Sequence, residues 1–404
     1  MTDRFLDGER RFDAVVVGRG TVGLAAALAL ARRSLKVALV GPKPSPRSAA
    51  LPAHDDDWDS RVFALSPASR TLLQQLRAWD ALPPERIAPV YDMRVFDTGG
   101  APLRLSAYDS GVEALAWIVE HRSLQRALEP ALRYADVTLV DAELDTVRMQ
   151  PDAARLGLSD GGTLACALLV GADGAQSRVR EQCGLPARIT AYDQTAVVAN
   201  FRTGKPHLDT AYQWFGSDGV LALLPLPADA RGRARVSMVW SAPHAHAERL
   251  AALDATALAE RLERAAGGLL GAFETITPAQ RHPLQQLALA RTTAPRVVVL
   301  GDAAHLIHPL AGQGMNIGLG DVAELDRVLA AREPHRDPGD ALLLRRYERG
   351  RREAVDAMRL LTDGLHGLFY RGAPAPLVLA RELGWRLLDR SGWLKRRLVA
   401  QAVQ

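Results

Sequence analysis

The spacing of apolar residues near the start of the chain predicts a strand, a helix and a second strand. Phe12–Val17 is a short apolar run, an Ala- and Leu-rich segment extends to about Arg33, and Lys36–Val40 is apolar again. Short apolar runs are typical of buried strands, and the longer segment between them has the length of a helix. The first turn, Gly18–Gly23, reads GRGTVG. Such glycines permit a tight turn, the approach of a pyrophosphate and close helix–strand packing, so the unit predicts a dinucleotide site.

The end of the second strand departs from this fingerprint. An Asp or Glu is expected there, about 20 residues on, to accept hydrogen bonds from a ribose. The position reads Val40-Gly41-Pro42, without an acid. Losing such a hydrogen bond costs about 1–3 kcal/mol if nothing replaces it. Lys43 and Arg47 only donate, so we expect weakened binding at the adenosine end and disfavour NAD binding that depends on this acid.

A second strand–loop–helix pattern lies late in the chain. The run Arg296–Leu300 precedes the stretch GDAAHLIHPLAGQGMNIGLGD at Gly301–Asp321, and apolar residues then follow at helical spacing to Leu329. Asp302 can accept hydrogen bonds from sugar-like hydroxyls, and a helix opening near Met315 directs its free N–H groups into the loop. A flavin fits, because it has a ribityl chain and a ring edge that becomes anionic on reduction. An ordinary glycine-rich strand–helix connection fits equally well.

Further candidate ligand contacts are ambiguous on local sequence. The apolar run Leu164–Val170 leads into GADGAQSRVR, where Asp173 and Gly174 either reach a dinucleotide or form an Asp-Gly turn. Arg61 is either a phosphate-facing residue or a solvated loop charge. Arg122 is either a cofactor contact or a neighbour of a helix cap.

The pattern changes to β-like runs from Thr195. The runs Ala196–Phe201, Ala211–Phe215, Val220–Pro225 and Arg233–Trp240 are separated by Gly- and Asp-containing turns, which predicts an antiparallel sheet. We also predict a hairpin from Val90–Phe96 and Pro102–Ser106, a helix over Ala251–Ala266, and a strand at Gln285–Ala288. The order implies a sheet domain inserted between pieces of a dinucleotide domain.

Composition narrows the functional class. The chain has 404 residues, 48% hydrophobic and 24% charged, with a net charge of +4 and 5% aromatics, values that disfavour disorder and nucleic-acid binding. Cys166 and Cys183 lack metal or redox spacing, and His305 and His308 lack further ligands, so no metal site is expected. The N-terminus is charged, and no apolar run approaches the roughly 20 residues that span a bilayer. We expect a cytoplasmic protein, free or peripheral at the inner face of the membrane.

The C-terminal part, Asp340–Gln404, reads as helical and basic, with apolar residues among arginines. Such a segment either lies on an anionic membrane surface, docks a partner, or packs as a helical cap on the protein.

Three motifs in order resemble one family. GRGTVG, GADGAQSRVR at Gly171–Arg180 and GDAAHLIHPLAGQGMNIGLGD are similar to the class A flavin-dependent aromatic hydroxylases, the p-hydroxybenzoate hydroxylase type. The form HPLAGQGMNIGLGD, with DSRVFALSPASRTLL, GVLALLPL, WSAP and the tail, looks like the ubiquinone-biosynthesis hydroxylase branch. The resemblance covers essentially the whole chain.

The resemblance implies FAD as cofactor and NAD(P)H as transient co-substrate. The glycines of GRGTVG would shape the turn for the ADP part, Arg61 and Arg122 would face phosphates and ribityl, and Asp302 would hold the ribityl chain. Asp173 and Gly174 would belong to the motif that the family associates with both FAD and the reduced nicotinamide. The implied cofactor-binding residues are Gly18, Gly20, Thr21, Val22, Gly23, Arg61, Arg122, Asp173, Gly174, Asp302, Pro309, Gly312, Gln313, Gly314, Met315 and Asn316.

It also implies an α/β fold, with a Rossmann-like FAD-binding domain, an inserted antiparallel-sheet substrate domain and a helical C-terminus. The FAD-binding domain would comprise residues 1–85, 116–187 and 285–335. A hairpin over 86–115 and a sheet over 188–284 would form the substrate domain, and residues 336–404 the C-terminal helical region.

The implied chemistry is flavin-centred. NAD(P)H would reduce FAD, oxygen would add at flavin C4a, and the hydroperoxide would hydroxylate an electron-rich ring carbon of a polyprenylated phenol or quinol. No side chain is assigned as acid or base; backbone N–H groups of Gly314 and Met315 would stabilise the reduced flavin. Two alternatives remain: a hydroxylase of a small soluble aromatic or secondary metabolite, and a non-catalytic flavoprotein scaffold of a biosynthetic complex.

Overall fold

The computed structural model describes residues 10–44, 52–97, 102–216, 218–307 and 314–370. The strands are β1 Arg10–Val17, β2 Val37–Val40, β3 Val62–Leu65, β4 Ile87–Val90, β5 Asp92–Phe96, β6 Leu103–Ser106, β7 Ala116–Glu120, β8 Thr138–Val140, β9 Leu144–Met149, β10 Ala154–Leu158, β11 Thr163–Gly171, β12 Ala187–Thr203, β13 Thr210–Gly216, β14 Gly219–Leu226, β15 Arg235–Pro243, β16 Phe273–Thr275, β17 Gln280–Leu289, β18 Thr293–Ala294 and β19 Val297–Val299. The helices are α1 Thr21–Ala31, α2 Pro67–Gln75, α3 Ala107–Ser110, α4 His121–Tyr134, α5 Arg178–Gln182, α6 His244–Ala251, α7 Ala255–Ala265, α8 Gly314–Ala330 and α9 Ala341–Tyr370.

The first sheet is built around β1 and has the order β18-β19-β11-β1-β2-β8, with β10 and β9 added beside β11. Its central pairs, β1 with β2 and with β11, are parallel. Strand segments buried on both faces must be apolar, which is why Ala14–Val17 of β1 and Val37–Val40 of β2 read as continuous apolar runs. Apolar cores lie on both faces of the sheet, and α1 is buried in one of them. The predicted strand–helix–strand unit is therefore present.

The second sheet has the order β16-β12-β15-β14-β13-β5-β6, and β17 also pairs with β12. The strands β12 to β15 pair antiparallel, as predicted. The hairpin prediction is also confirmed, since β5 and β6 pair antiparallel; its turn, Thr98–Gly100, lies outside the described residues. A third, small sheet has the order β3-β7-β4.

The helix predicted over Ala251–Ala266 is present as α7, Ala255–Ala265, and begins four residues later than predicted. A further helix, α6, precedes it at His244–Ala251, and the two helices cover one face of the second sheet. The chain is interrupted at Asp254, whose carboxylate accepts a hydrogen bond from Ala257 N at 2.8 Å. An Asp in this position satisfies a free N–H at a helix start, so it begins α7 as a separate helix.

The last two helices are joined to the first sheet through Asp321 of α8. This side chain is 0% exposed; it accepts hydrogen bonds from Gly301 N at 2.9 Å and from Arg351 of α9 at 2.7 Å. The arrangement holds the chain just after β19 against α8 and α9. None of the helices in the described ranges is both long and apolar enough to cross a membrane.

Candidate active site

A cleft of ≈ 580 Å³ lies between the first and second sheets. One wall comes from the glycine turn after β1, the segment after β11 and the start of α8. The other wall is an apolar face of the second sheet. The residues of that face are Ala196, Val198, Ala222, Leu224 and Val239.

The glycine turn has two structural glycines and one that leaves space. Gly18 has φ +114, and a Cβ there would lie 2.2 Å from Ala172 O. A Cβ on Gly23 would lie 1.9 Å from Gly18 O. A Cβ on Gly20, in contrast, would have no described heavy atom within 4 Å. Gly18 and Gly23 are thus required by packing, whereas Gly20 borders the cleft beside Thr21 and Val22.

The second motif contributes backbone rather than a carboxylate to the cleft wall. Gly174, with φ +81, lines the cleft. The Oδ2 atom of Asp173 accepts a hydrogen bond from Val179 N at 3.1 Å, which holds the start of α5. Its Oδ1 atom is buried and has no hydrogen-bond partner within the described ranges. The Asp-Gly turn is therefore present, and it places Gly174 beside the cleft.

Asp302 and Arg61 face the same cleft, together with two histidines. Burial raises the pKa of Asp302, and the nearby Arg61 guanidinium partly offsets this. Burial, aided by Arg61, lowers the pKa of His121 to about 4, and the same causes lower the pKa of His282. Imidazoles with depressed pKa values are neutral at pH 7, so these rings offer hydrogen bonds rather than positive charge.

Arg122 was expected to contact the cofactor, but it is not among the residues that line the cleft. Its side chain is only 11% exposed, and Nη2 donates to Asp57 O at 2.7 Å and to Asp57 Oδ1 at 3.0 Å. The cleft face of α4 presents His121 and Gln125 instead. Residues four apart share one face of a helix. The spacing of His121 and Gln125 in the sequence therefore indicated that they lie on one face, and the sequence analysis did not use it.

The start of α8 is only partly as expected. Gly314 and Met315 line the cleft, as predicted. Asn316, expected to border a flavin ring, instead clamps α8 to the segment around β3. Its Oδ1 accepts from Ser66 N and Ser69 Oγ, both at 2.9 Å. Its Nδ2 donates to Ala64 O at 2.8 Å. The predicted contacts Pro309, Gly312 and Gln313 lie outside the described residues.

The residues present fit FAD. Three buried polar atoms on cleft-lining residues, Thr21 Oγ1, Ser60 Oγ and His121 Nδ1, have no hydrogen-bond partner in the part of the chain that the structure describes. Buried polar groups normally find partners, so these atoms suit a ligand rich in hydroxyl and phosphate groups. The space above Gly20 suits a pyrophosphate, and the start of α8 suits an anionic ring edge.

Comparison with protein families matches residues 11–360 to a family described as FAD binding domain. The chain is 37% identical to ubiquinone hydroxylase UbiL of Rhodospirillum rubrum, over 97% of this chain and 89% of the relative. It is 31% identical to 3-demethoxyubiquinol 3-hydroxylase of Escherichia coli, over 97% of this chain and 98% of the relative.

Among solved structures, the fold matches p-nitrophenol 4-monooxygenase PnpA of Pseudomonas putida with a TM-score of 0.74. The two sequences are 18% identical, and the match covers 98% of each chain. At this identity the likeness establishes the fold.

Proposed function

The chain belongs to the FAD-binding aromatic monooxygenases and, within them, to the ubiquinone-biosynthesis hydroxylases, and on this premise we propose that it hydroxylates the ring of a polyprenylated phenol or quinol. The observation that carries the proposal is the cleft itself. Glycine-rich dinucleotide turns form one wall, and a continuous apolar sheet face forms the other. Such a cleft can hold an aromatic lipid head group against a flavin while excluding water.

The proposed cofactor contacts follow from the placement of the residues. Backbone at Gly20, Thr21 and Gly174 borders the dinucleotide path, and Asp302 accepts hydrogen bonds from the ribityl hydroxyls. His121 and Gln125 take the place that the sequence suggested for Arg122. Gly18 and Gly23 act through packing.

Bound FAD supplies the oxidation chemistry of the family, with NAD(P)H and O₂ as co-substrates. The chain itself supplies position and electrostatics. The N–H groups at Gly314 and Met315 point from the start of α8, where the helix dipole stabilises negative charge on a nearby ring edge. The apolar face of β12, β14 and β15 keeps water from the reacting carbon. This arrangement does not require a catalytic acid or base from a side chain.

A lipid substrate also requires access to a membrane surface. We propose that the basic C-terminal segment, which continues from α9, contacts anionic lipid or a biosynthetic complex. Its support is compositional: Arg381, Arg386, Arg390 and Lys395–Arg397 lie among apolar residues in the sequence.

The test combines lipid analysis with spectroscopy. Mass spectrometry of quinones from a strain lacking the gene should detect a prenylated ring short of one oxygen, and its structure identifies the carbon that is hydroxylated. An unchanged quinone profile, after deletion of any sister hydroxylase, would favour the soluble-aromatic alternative. Purified protein should show a flavin spectrum that NAD(P)H bleaches and air restores; a bound flavin that NAD(P)H fails to reduce would favour the scaffold alternative.

A further inference from the structure

The strand next to β2 presents a carboxylate at the edge where the dinucleotide fingerprint expects one. β2 and β8 pair in parallel, with Val40 opposite Val140, and Gly41 N donates to Val140 O at 3.2 Å. Asp141 follows Val140 directly, as Gly41 follows Val40. Carboxyl ends of parallel strands meet at one sheet edge, so Asp141 lies beside the position that lacks its acid.

Arg19 of the glycine turn connects the two positions. A Cβ added at Gly41 would lie 3.0 Å from Arg19 Cγ, so the arginine stem occupies the space above Gly41. Arg19 Nη1 lies 2.7 Å from Asp141 Oδ1, and Lys43 Nζ lies 3.6 Å from Asp141 Oδ2. The side chain of Arg19 is 9% exposed and that of Asp141 is 46% exposed. The pair is therefore anchored at the arginine and open at the carboxylate.

Both Arg19 and Asp141 have polar atoms that can still form hydrogen bonds with a ligand. Arg19 Nε and Nη2 are buried and have no hydrogen-bond partner among residues 10–44, 52–97, 102–216, 218–307 and 314–370. Unpaired buried donors are costly, so they indicate a ligand with acceptor groups. The 3.6 Å separation from Lys43 is too long for a hydrogen bond, which leaves Asp141 Oδ2 able to accept from hydroxyl groups.

We propose that Asp141, oriented by Arg19, replaces the absent acid at position 41 and binds the adenosine ribose hydroxyls of FAD. The inference rests on the proposed function, because it assigns a subsite for the same cofactor. The hydrogen bond from Arg19 lowers the pKa of Asp141. The carboxylate is therefore ionised at neutral pH and accepts hydrogen bonds, as an acid at the end of β2 would.

The test compares FAD with FMN, which lacks the adenosine half. The full chain is freed of flavin, and dissociation constants are measured by the change in flavin fluorescence. Asp141→Ala should weaken FAD binding about tenfold and leave FMN binding within twofold of the wild type. The control is Asp152→Ala, which removes an exposed carboxylate paired with Arg11 at 3.9 Å, near the amino end of β1. The control should leave both constants unchanged.

A second measurement uses the wild type alone and so does not depend on how the variant folds. An FAD analogue with a 2′,3′-dideoxyadenosine ribose should bind at least fivefold more weakly than FAD. Equal affinity for the two, or equal weakening of FAD and FMN by Asp141→Ala, would overturn the ribose assignment while the proposed function stands. A wild type that binds neither FAD nor FMN would refute the proposed function and this inference with it.

Discussion

A single imidazole shows how burial controls charge in the cleft. His121 packs edge-on against Phe63 with ring centroids 5.5 Å apart, near the Arg61 guanidinium. Burial and that positive charge hold its pKa at about 4, against 6.5 for a free histidine. A second cation beside Arg61 would be unfavourable, so the neutral ring is the form that belongs to the folded protein.

This difference makes stability depend on pH. Between pH 6.5 and 4 the unfolded chain binds a proton at position 121 that the folded chain does not. Stability therefore falls as pH falls through this window, by at most about 3 kcal/mol from this residue. We expect His121→Asn to lose less stability than the wild type on acidification from pH 6.5 to 4. The difference in unfolding midpoint between the wild type and His121→Asn should shrink as the pH falls across this range. A difference that stays constant with pH would show that His121 does not titrate as stated.

At the scale of elements, the glycines of the turn between β1 and α1 differ in their surroundings: some are close-packed and one borders the open cleft. Gly23 lets α1 pass Gly18 closely, whereas Gly20 has φ −75, an angle that other residues adopt, and space around it. One motif thus contains a glycine that the packing of the fold requires and a glycine that leaves open space at the cleft.

Paired alanine substitutions should separate these roles. Gly20→Ala should change unfolding stability by less than about 1 kcal/mol and weaken FAD binding at least tenfold, because the methyl group enters the space for the pyrophosphate. Gly23→Ala should destabilise the apoprotein by about 3 kcal/mol or more, since helix and strand must move apart. Thermal unfolding and flavin titration of each variant provide the measurement. Equal destabilisation by both substitutions would contradict the assignment.

At the scale of the molecule, the cleft depends on contacts that hold separate units together. The segment before β3 connects the two sheets: Asp57 binds Arg122 of α4, and Asp59 O accepts from Asn200 Nδ2 of β12 at 3.0 Å. On the other side, Asp321 and Arg351 fix α9 to α8. Breaking a buried pair of this kind costs about 3–5 kcal/mol, so this contact holds α9 on α8.

Truncation after Tyr370 tests what the tail does. It retains the Asp321–Arg351 contact and removes the basic segment. We expect the shortened chain to keep its flavin and its activity on a short-chain analogue. Its activity on a long-chain substrate in anionic vesicles should fall several-fold, because the membrane attraction of about 1 kcal/mol per basic residue is lost. Equal loss on both substrates would argue against a membrane role.

Local residue patterns determined the strand–helix–strand unit, the antiparallel sheet and the three motifs, because apolar periodicity and glycine turns act over a few residues. They also indicated Gly20, Asp302 and the start of α8 as cleft residues. Patterns of this range do not determine which face of a helix meets a cleft. The tertiary structure therefore decided that His121 and Gln125, and not Arg122, line the cleft, and that Asn316 clamps α8 to the segment around β3.

The short range of sequence patterns also explains why Asp141 could not be identified from the sequence as a candidate for the adenosine end. Along the chain, position 41 lacks a carboxylate, and Asp141 lies 100 residues away, outside the three motifs. Parallel pairing of β2 with β8 brings the two positions side by side. Strand order arises from packing of the whole sheet rather than from any one segment, so the sequence by itself determined that an acid was missing and only the tertiary structure decided where another carboxylate would stand.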